Sequence, residues 1–288
     1  MAEYHAARST ESKALLATVL AATKKQPSVL NESWARELPN RESLASYARG
    51  ILSDCILQPP KVIVVQVLLI LTLYEWGVRD FQKAWMHCGI AIRMMQSLHS
   101  SRVAPYPLDI SHRAELNDLS AVVETRTYWA CFIMDCTINS GTYNPRMLPM
   151  SEMENLKVAR PPTSVEFAFG SDTATPSTEH QASASTENGP PVTLDMAHSF
   201  EIMASGFDIN ATVMSFLFND GRRAPGMCAP ENCPWVPTSP WAICLKRLEI
   251  WRERQHKRLH YPRNSVAVHM TLGFGESFVY LNLLYYQR

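Results

Sequence analysis

Seven cysteines and nine histidines offer the most chemistry in this sequence. Cys228 and Cys233 are spaced C-x4-C, and so are Cys131 and Cys136. A structural zinc site takes four ligands, usually as two close pairs carried on turns. Cys131 and Cys136 fall in an apolar helical pattern, where five residues of separation point their side chains well apart. Cys228 and Cys233 lie in a Pro- and Gly-rich stretch, with no second pair near them in the sequence. His256 and His260, at i and i+4 of an expected helix, have the spacing of a metal pair. Lys257 and Arg258 stand between them, so this reads as a solvated basic face. His87 precedes Cys88 directly, and neighbours on a helix diverge by about 100°, which rules out a nucleophile–base pair. The nucleophile elbow, the phosphate loop, the dinucleotide fingerprint and the His-Glu-x-x-His zinc motif are all missing. The expectation is a protein without catalytic residues, bound cofactor or metal, and therefore no enzyme.

The charged residues ask a different question. Arg93 stands in an apolar helical run in which Phe81, Trp85, Cys88, Ile92 and Met95 form one face. Met86, Ile90 and Met94 form a second face behind it. Both sides are then expected to be buried, and a buried guanidinium needs a carboxylate. Glu124 and Asp135 are eleven residues apart on the next helix, about three turns, so both leave the same side. The expectation is a structural polar register in which Arg93 pairs with Glu124 or Asp135. The alternative is that Arg93 lines a solvent-filled pocket and binds an effector anion. A further helix presents Trp241, Cys244, Leu248, Trp251 and Leu259 to the core. Its other side carries Lys246, Arg247, Arg254, Lys257 and Arg258, relieved by Glu253. That stripe could contact phosphates, but ordinary solvation, or docking against an acidic part of a larger protein, explains it as well.

The elements that must position these residues are all helical. The 288 residues are 46% hydrophobic and 19% charged, enough apolar material for a sizeable core. Lys+Arg 27 balances Asp+Glu 27, so no global field draws the chain to nucleic acid or an anionic membrane. The most hydrophobic run, residues 62–74, falls short of the roughly 20 residues that span a bilayer. The odd, scattered cysteines fit reduced thiols in the cytosol or nucleus. The N-terminal residues carry charges throughout, unlike a signal peptide.

A first helix over residues 10–25 is expected to bury Leu15, Leu16, Val19 and Leu20. A second starts after Pro39 with Leu44, Tyr47, Ala48, Ile51, Leu52 and Cys55 as its stripe. The third is capped at its C-terminus by Gly77, and Asp80 caps the Arg93 helix. Later helices are expected from Leu194 to Phe218 and from Ser265 to the C-terminus. The predicted fold is all-α: an irregular multi-helix bundle of antiparallel helix pairs with one long disordered loop. Residues 1–39 are a helical lead-in, 40–170 the first part of the domain, and 171–193 a Ser/Thr/Pro-rich loop with little to bury. Residues 194–288 continue the same domain, which is expected to be truncated at its C-terminus.

Two of these helices carry a family signature. The order aromatic…Ala84-Trp85…Gly89…Ala91-Ile92-Arg93-Met94…Leu98-His99 comes first. Glu124-x-Arg126-x-x-Trp129-x-x-Phe132-x-x-Asp135 follows it. Together they resemble the regulatory middle domain of fungal zinc-cluster transcription factors, of the xylanolytic-activator-like type. Val158-Ala159-Arg160-Pro161-Pro162-Thr163 through Phe169-Gly170 is similar to the family's Pro-Cys…Phe-Gly segment. Pro234-Trp235…Trp241 and Gly275-Glu276-Ser277-Phe278 through Tyr286 resemble two later landmarks. The likeness covers residues 44–288, with Thr127 and Thr163 departing from the usual Arg and Cys. It implies nuclear localisation, control of transcription directed at RNA polymerase II, and protein partners that include self-association. In the family, zinc and DNA are held by a separate N-terminal module with six cysteines. No cysteine precedes Cys55 here, so that module is expected to be missing from this chain, whether by truncation or as a natural fragment. The rival reading is a helical interaction scaffold or an accessory protein of a biosynthetic gene cluster. An in-frame six-cysteine motif upstream of Met1 would decide between them.

Overall fold

The computed structural model describes residues 9–24, 37–103, 118–139, 144–160, 199–218, 221, 223–271 and 275–286. Ten helices and no strand are found among them, which bears out the all-α expectation. In chain order they are α1 (Thr10–Thr23), α2 (Arg41–Cys55), α3 (Val62–Gly77), α4 (Phe81–Val103) and α5 (Asp118–Asn139). Then come α6 (Met150–Asn155), α7 (Ser199–Phe218), α8 (Pro240–Glu253), α9 (Val266–Thr271) and α10 (Gly275–Tyr286). The loop expected at 171–193 lies outside the described residues.

Several starts are set by local chemistry. The Ser9 hydroxyl accepts the Ser12 N–H, the Asn40 side chain the Ser43 N–H, and Ser239 the Ala242 N–H. Each meets one of the donors that an N-terminus leaves unpaired. Asp80 does the same for α4, accepting from the Lys83 N–H at 3.2 Å. The end of α3 departs from expectation. Gly77 is not its left-handed residue; Arg79 is, at φ 66°. The turn closes with the Arg79 N–H on the Trp76 carbonyl and the Asp80 N–H on the Glu75 carbonyl.

The helices form two compact units. The first comprises α1 to α4 with the Ala130–Ile138 part of α5. Its centre is α3, which packs on α1, α2 and α4. Val64, Val65, Val67, Leu68, Leu69, Leu71 and Tyr74 of α3 are all buried. A helix apolar around most of its circumference belongs inside.

Two buried faces differ from the sequence reading. In α1 the packed stripe is Ala14, Ala17, Thr18 and Ala21, while Leu16 and Val19 are exposed. Small residues at i, i+3, i+4 and i+7 let α1 approach its neighbours closely, and that outweighs the larger leucines. In α4, Cys88, Ile92, Met94 and Met95 are buried, but Phe81, Trp85 and Met86 of the first turns are exposed. Phe81 finds its partner at the end of α3, edge-on to Trp76 at 4.8 Å between ring centroids.

The second unit holds the earlier part of α5 and α6 to α10. Its core gathers Leu248 and Trp251 of α8, Leu259, and Phe278, Leu281 and Leu284 of α10, with Ile202, Met203 and Phe207 of α7 against them. The Trp251 indole N–H lies 3.1 Å from both the Ile202 carbonyl and the Ser205 hydroxyl, which pins the ring to α7. The α8 helix ends at Glu253, and Lys257–Leu259 form a separate 3-10 turn. The final helix expected from Ser265 onward is two helices, α9 and α10.

Candidate functional site

Each unit has a buried polar cluster, and neither contains Arg93. In the first, Glu75 is 1% exposed within the largely apolar α3. One carboxylate oxygen accepts from His87 Nδ1 of α4 at 2.6 Å, and the other from the Arg49 guanidinium of α2 at 3.4 Å. Arg49 also pairs with Glu42, and the Tyr74 hydroxyl donates to Glu42 Oε2 at 2.9 Å. That hydroxyl, helped by Arg49, holds the Glu42 carboxyl below the usual range. Arg41 lies over the Tyr74 ring at 5.0 Å. Six charged or polar side chains thus lock α2, α3 and α4 in one register. The only sequence signal for this was a lone carboxylate in an apolar helix.

Arg93 corrects the expectation built on it. It is on the exposed side of α4, and among the described residues it makes no ion pair. The premise of a sealed guanidinium fails because the second apolar face, from Met86 to Met94, closes only at Met94. Glu124 and Asp135 are buried, at 6% and 0% exposed. Asp135 sits near Cys88, whose thiol is pushed up to about 12 by burial first and by Asp135 and Cys136 next. Burial also raises the Cys131 thiol well above its ordinary value. Arg126 lies over the Phe200 ring at 4.7 Å, and the Trp129 indole N–H donates to the Ala159 carbonyl at 2.8 Å. Trp129 and Phe132 of the α5 motif are buried and pack in the interior.

The second cluster surrounds Arg252, which is 6% exposed. Its guanidinium donates to Gln255 Oε1 at 3.2 Å and to Asn282 Oδ1 at 2.6 Å. Both acceptors are neutral, and among the described residues no carboxylate lies within ion-pairing distance. The Tyr285 ring beneath it, 4.8 Å away, offers a cation–π contact of about 0.5–2 kcal/mol. Burying an unpaired charge costs several kcal/mol, and burial lowers the Arg252 pKa accordingly.

Asn282 is used completely: its amide donates to the Leu259 and Phe278 carbonyls, and its oxygen also accepts the Tyr261 N–H. His260 Nε2 lies 3.1 Å from the Arg252 carbonyl oxygen, so the ring donates there. Burial, then the Arg252 charge, lowers the His260 pKa. A cleft of about 510 Å³ opens beside this cluster, walled by Arg252, His260, Tyr261 and Tyr286 and rimmed by Lys257 and Arg263.

The expected basic stripe is present only in part. Lys246, Arg247, Arg254, Lys257 and Arg258 are all exposed. They do not share one helix face, because α8 ends before Lys257 and Arg258. Ile243, Leu245 and Ile250 are exposed on the same helix, so its outer surface is mixed. His256 and His260 do not share a helix face either: His256 caps the 3-10 turn by accepting the Arg258 N–H, while His260 turns to the Arg252 carbonyl. No group of three or more metal-ligating side chains is found among the described residues. Likewise, none of their helices is long and apolar enough to cross a membrane.

The buried polar groups of this all-α chain fix the register of its helices. The family is shown by comparison. The model of the fungal specific transcription factor domain matches residues 3–196, and the chain belongs to that family. It is 23% identical over 270 residues to an uncharacterized transcriptional regulatory protein of Schizosaccharomyces pombe, covering 90% of this chain and 25% of that protein. It is 34% identical over 134 residues to the Zn(2)-C6 fungal-type transcription factor FTF1c of Fusarium oxysporum, covering 46% of this chain and 14% of that one. Over 89 residues it is 28% identical to the azaphilone cluster-specific transcription factor azaR of Aspergillus niger, covering 30% of this chain and 19% of that factor. The chain thus spans a third or less of the length of these relatives. No solved structure matches it significantly.

Proposed function

We propose that this chain is the regulatory middle region of a fungal zinc-cluster-type transcription regulator and acts in the nucleus. The observation that carries the reading is the family match over residues 3–196. Similarity to named regulators, one of them a Zn(2)-C6 fungal-type factor, supports it. In this reading the chain works by contacts with proteins, its own copies included, and not by catalysis. Zinc and specific DNA contact belong to a six-cysteine module outside these residues.

The test fuses the 288-residue chain to an unrelated DNA-binding domain in a fungal reporter strain. The expected result is nuclear accumulation and a several-fold change in reporter output relative to the DNA-binding domain alone. Normal expression without any change in output would overturn the proposal.

A further inference from the structure

We propose that the cleft beside Arg252 binds a small aromatic carboxylate. Among the described residues, the buried Arg252 guanidinium has no carboxylate within ion-pairing distance. Arg252 is buried, its hydrogen-bond acceptors are the neutral oxygens of Gln255 and Asn282, and one wall of its cleft is its own side chain. A guanidinium carries five donors, so two bonds leave capacity for an anion, and carboxylate matches its planar fork. Lys257 and Arg263 add two cations at the rim against one carboxylate, Glu253, so the local charge favours an anion.

The rest of the cleft selects the body of that anion. Tyr261 and Tyr286 stand edge to face with centroids 6.3 Å apart, and Tyr285 and Tyr286 likewise at 5.0 Å. Tyr286 is further fixed by its hydroxyl, which donates to the Tyr261 carbonyl at 2.8 Å. These rings present a partly exposed aromatic frame next to the cationic centre, and stacked or edge-on packing is what such a frame rewards. The roughly 510 Å³ space falls in the size range of small-molecule sites. A bare phosphate would use the cations and leave the rings idle. The inference goes beyond the regulatory reading and does not depend on it, because binding is measured without a promoter.

The probe is trans-cinnamate, titrated calorimetrically into the 288-residue chain, with cinnamamide and inorganic phosphate as comparisons. Expected is saturable one-to-one binding of cinnamate that weakens with added salt. Cinnamamide should bind roughly tenfold more weakly, the loss set by a missing charge-assisted contact. Arg252→Met should abolish binding, but it alters a core residue and could unfold the unit. The double variant Lys257→Glu, Arg263→Glu changes only exposed side chains, so it should keep the melting temperature and lose affinity about tenfold. Cinnamamide binding as tightly as cinnamate would overturn the proposal, as would undiminished binding in the double variant. Phosphate binding as tightly as cinnamate, or no saturable binding in the millimolar range, would overturn it equally.

Discussion

Glu75 is the residue whose loss should be felt most in the first unit. It is 1% exposed and holds His87 and Arg49, whose side chains are 15% and 24% exposed. Removing it strands two partly buried cationic or polar partners, and breaking such a pair costs on the order of 3 kcal/mol. Lys83, paired with Asp80 at 2.6 Å on the surface, offers the comparison; its loss should cost under about 1 kcal/mol. Urea unfolding of Glu75→Ala and Lys83→Ala measures both, and equal midpoints would refute the ranking. The cysteines give a second residue-scale prediction. Cys228 is exposed, whereas Cys88, Cys131 and Cys136 are buried. A thiol-specific reagent should therefore label Cys228 first and reach those three only on unfolding. Because the Cys88 pKa is raised in the folded state, its contribution is intact below the ordinary value of 9.0. It is lost as pH climbs from there toward the folded value. Early labelling of Cys88 in the native chain would contradict this.

At the scale of helices, α7, α8 and α10 meet at Gly206. A methyl group there would stand 2.4 Å from Trp251 Cζ2 and 3.1 Å from Leu284 Cδ1. The indole cannot swing aside without breaking its bonds to Ile202 and Ser205. Gly206→Ala should thus destabilise the second unit by about 1–3 kcal/mol, the range for overpacking, despite alanine's better helix propensity. A neutral or stabilising effect in a thermal melt would show that the helices part easily. Much of this level was legible in the sequence. Pro39 and Asp80 marked helix starts, and α3 announced its burial through a long run of apolar residues. The faces were harder to read. In α1 the rule that large residues face inward failed because an alanine stripe permits a closer approach. Glu75 escaped notice because its partners, Arg49 and His87, are 26 and 12 residues away and only packing brings them together. Arg252 was hidden among exposed basic neighbours, and spacing alone could not say which of those cations turns inward.

Over the whole molecule, charge decides what the chain can do unaided. Lys+Arg 27 and Asp+Glu 27 cancel, and specific duplex binding rests on a field of unpaired cations that neutralise phosphates and release counterions. Here the five cations of the expected stripe are divided between α8 with its C-cap and the 3-10 turn after it, and Ile243, Leu245 and Ile250 interrupt those on α8. Such a surface supports at most weak, salt-sensitive attraction. The 288-residue chain should therefore not retard a duplex in a sequence-dependent way at about 150 mM salt, where loose phosphate contacts are weakened. It should also purify without stoichiometric zinc, since the described residues assemble no ligand set of three or more. Two measurements check this: gel retardation against competing sequences, and elemental analysis of the purified chain. Sequence-specific retardation would mean that the divided cations act together on DNA. About two zinc ions per chain, the loading of a six-cysteine cluster in which each metal is four-coordinate, would mean that residues read here as free thiols hold metal.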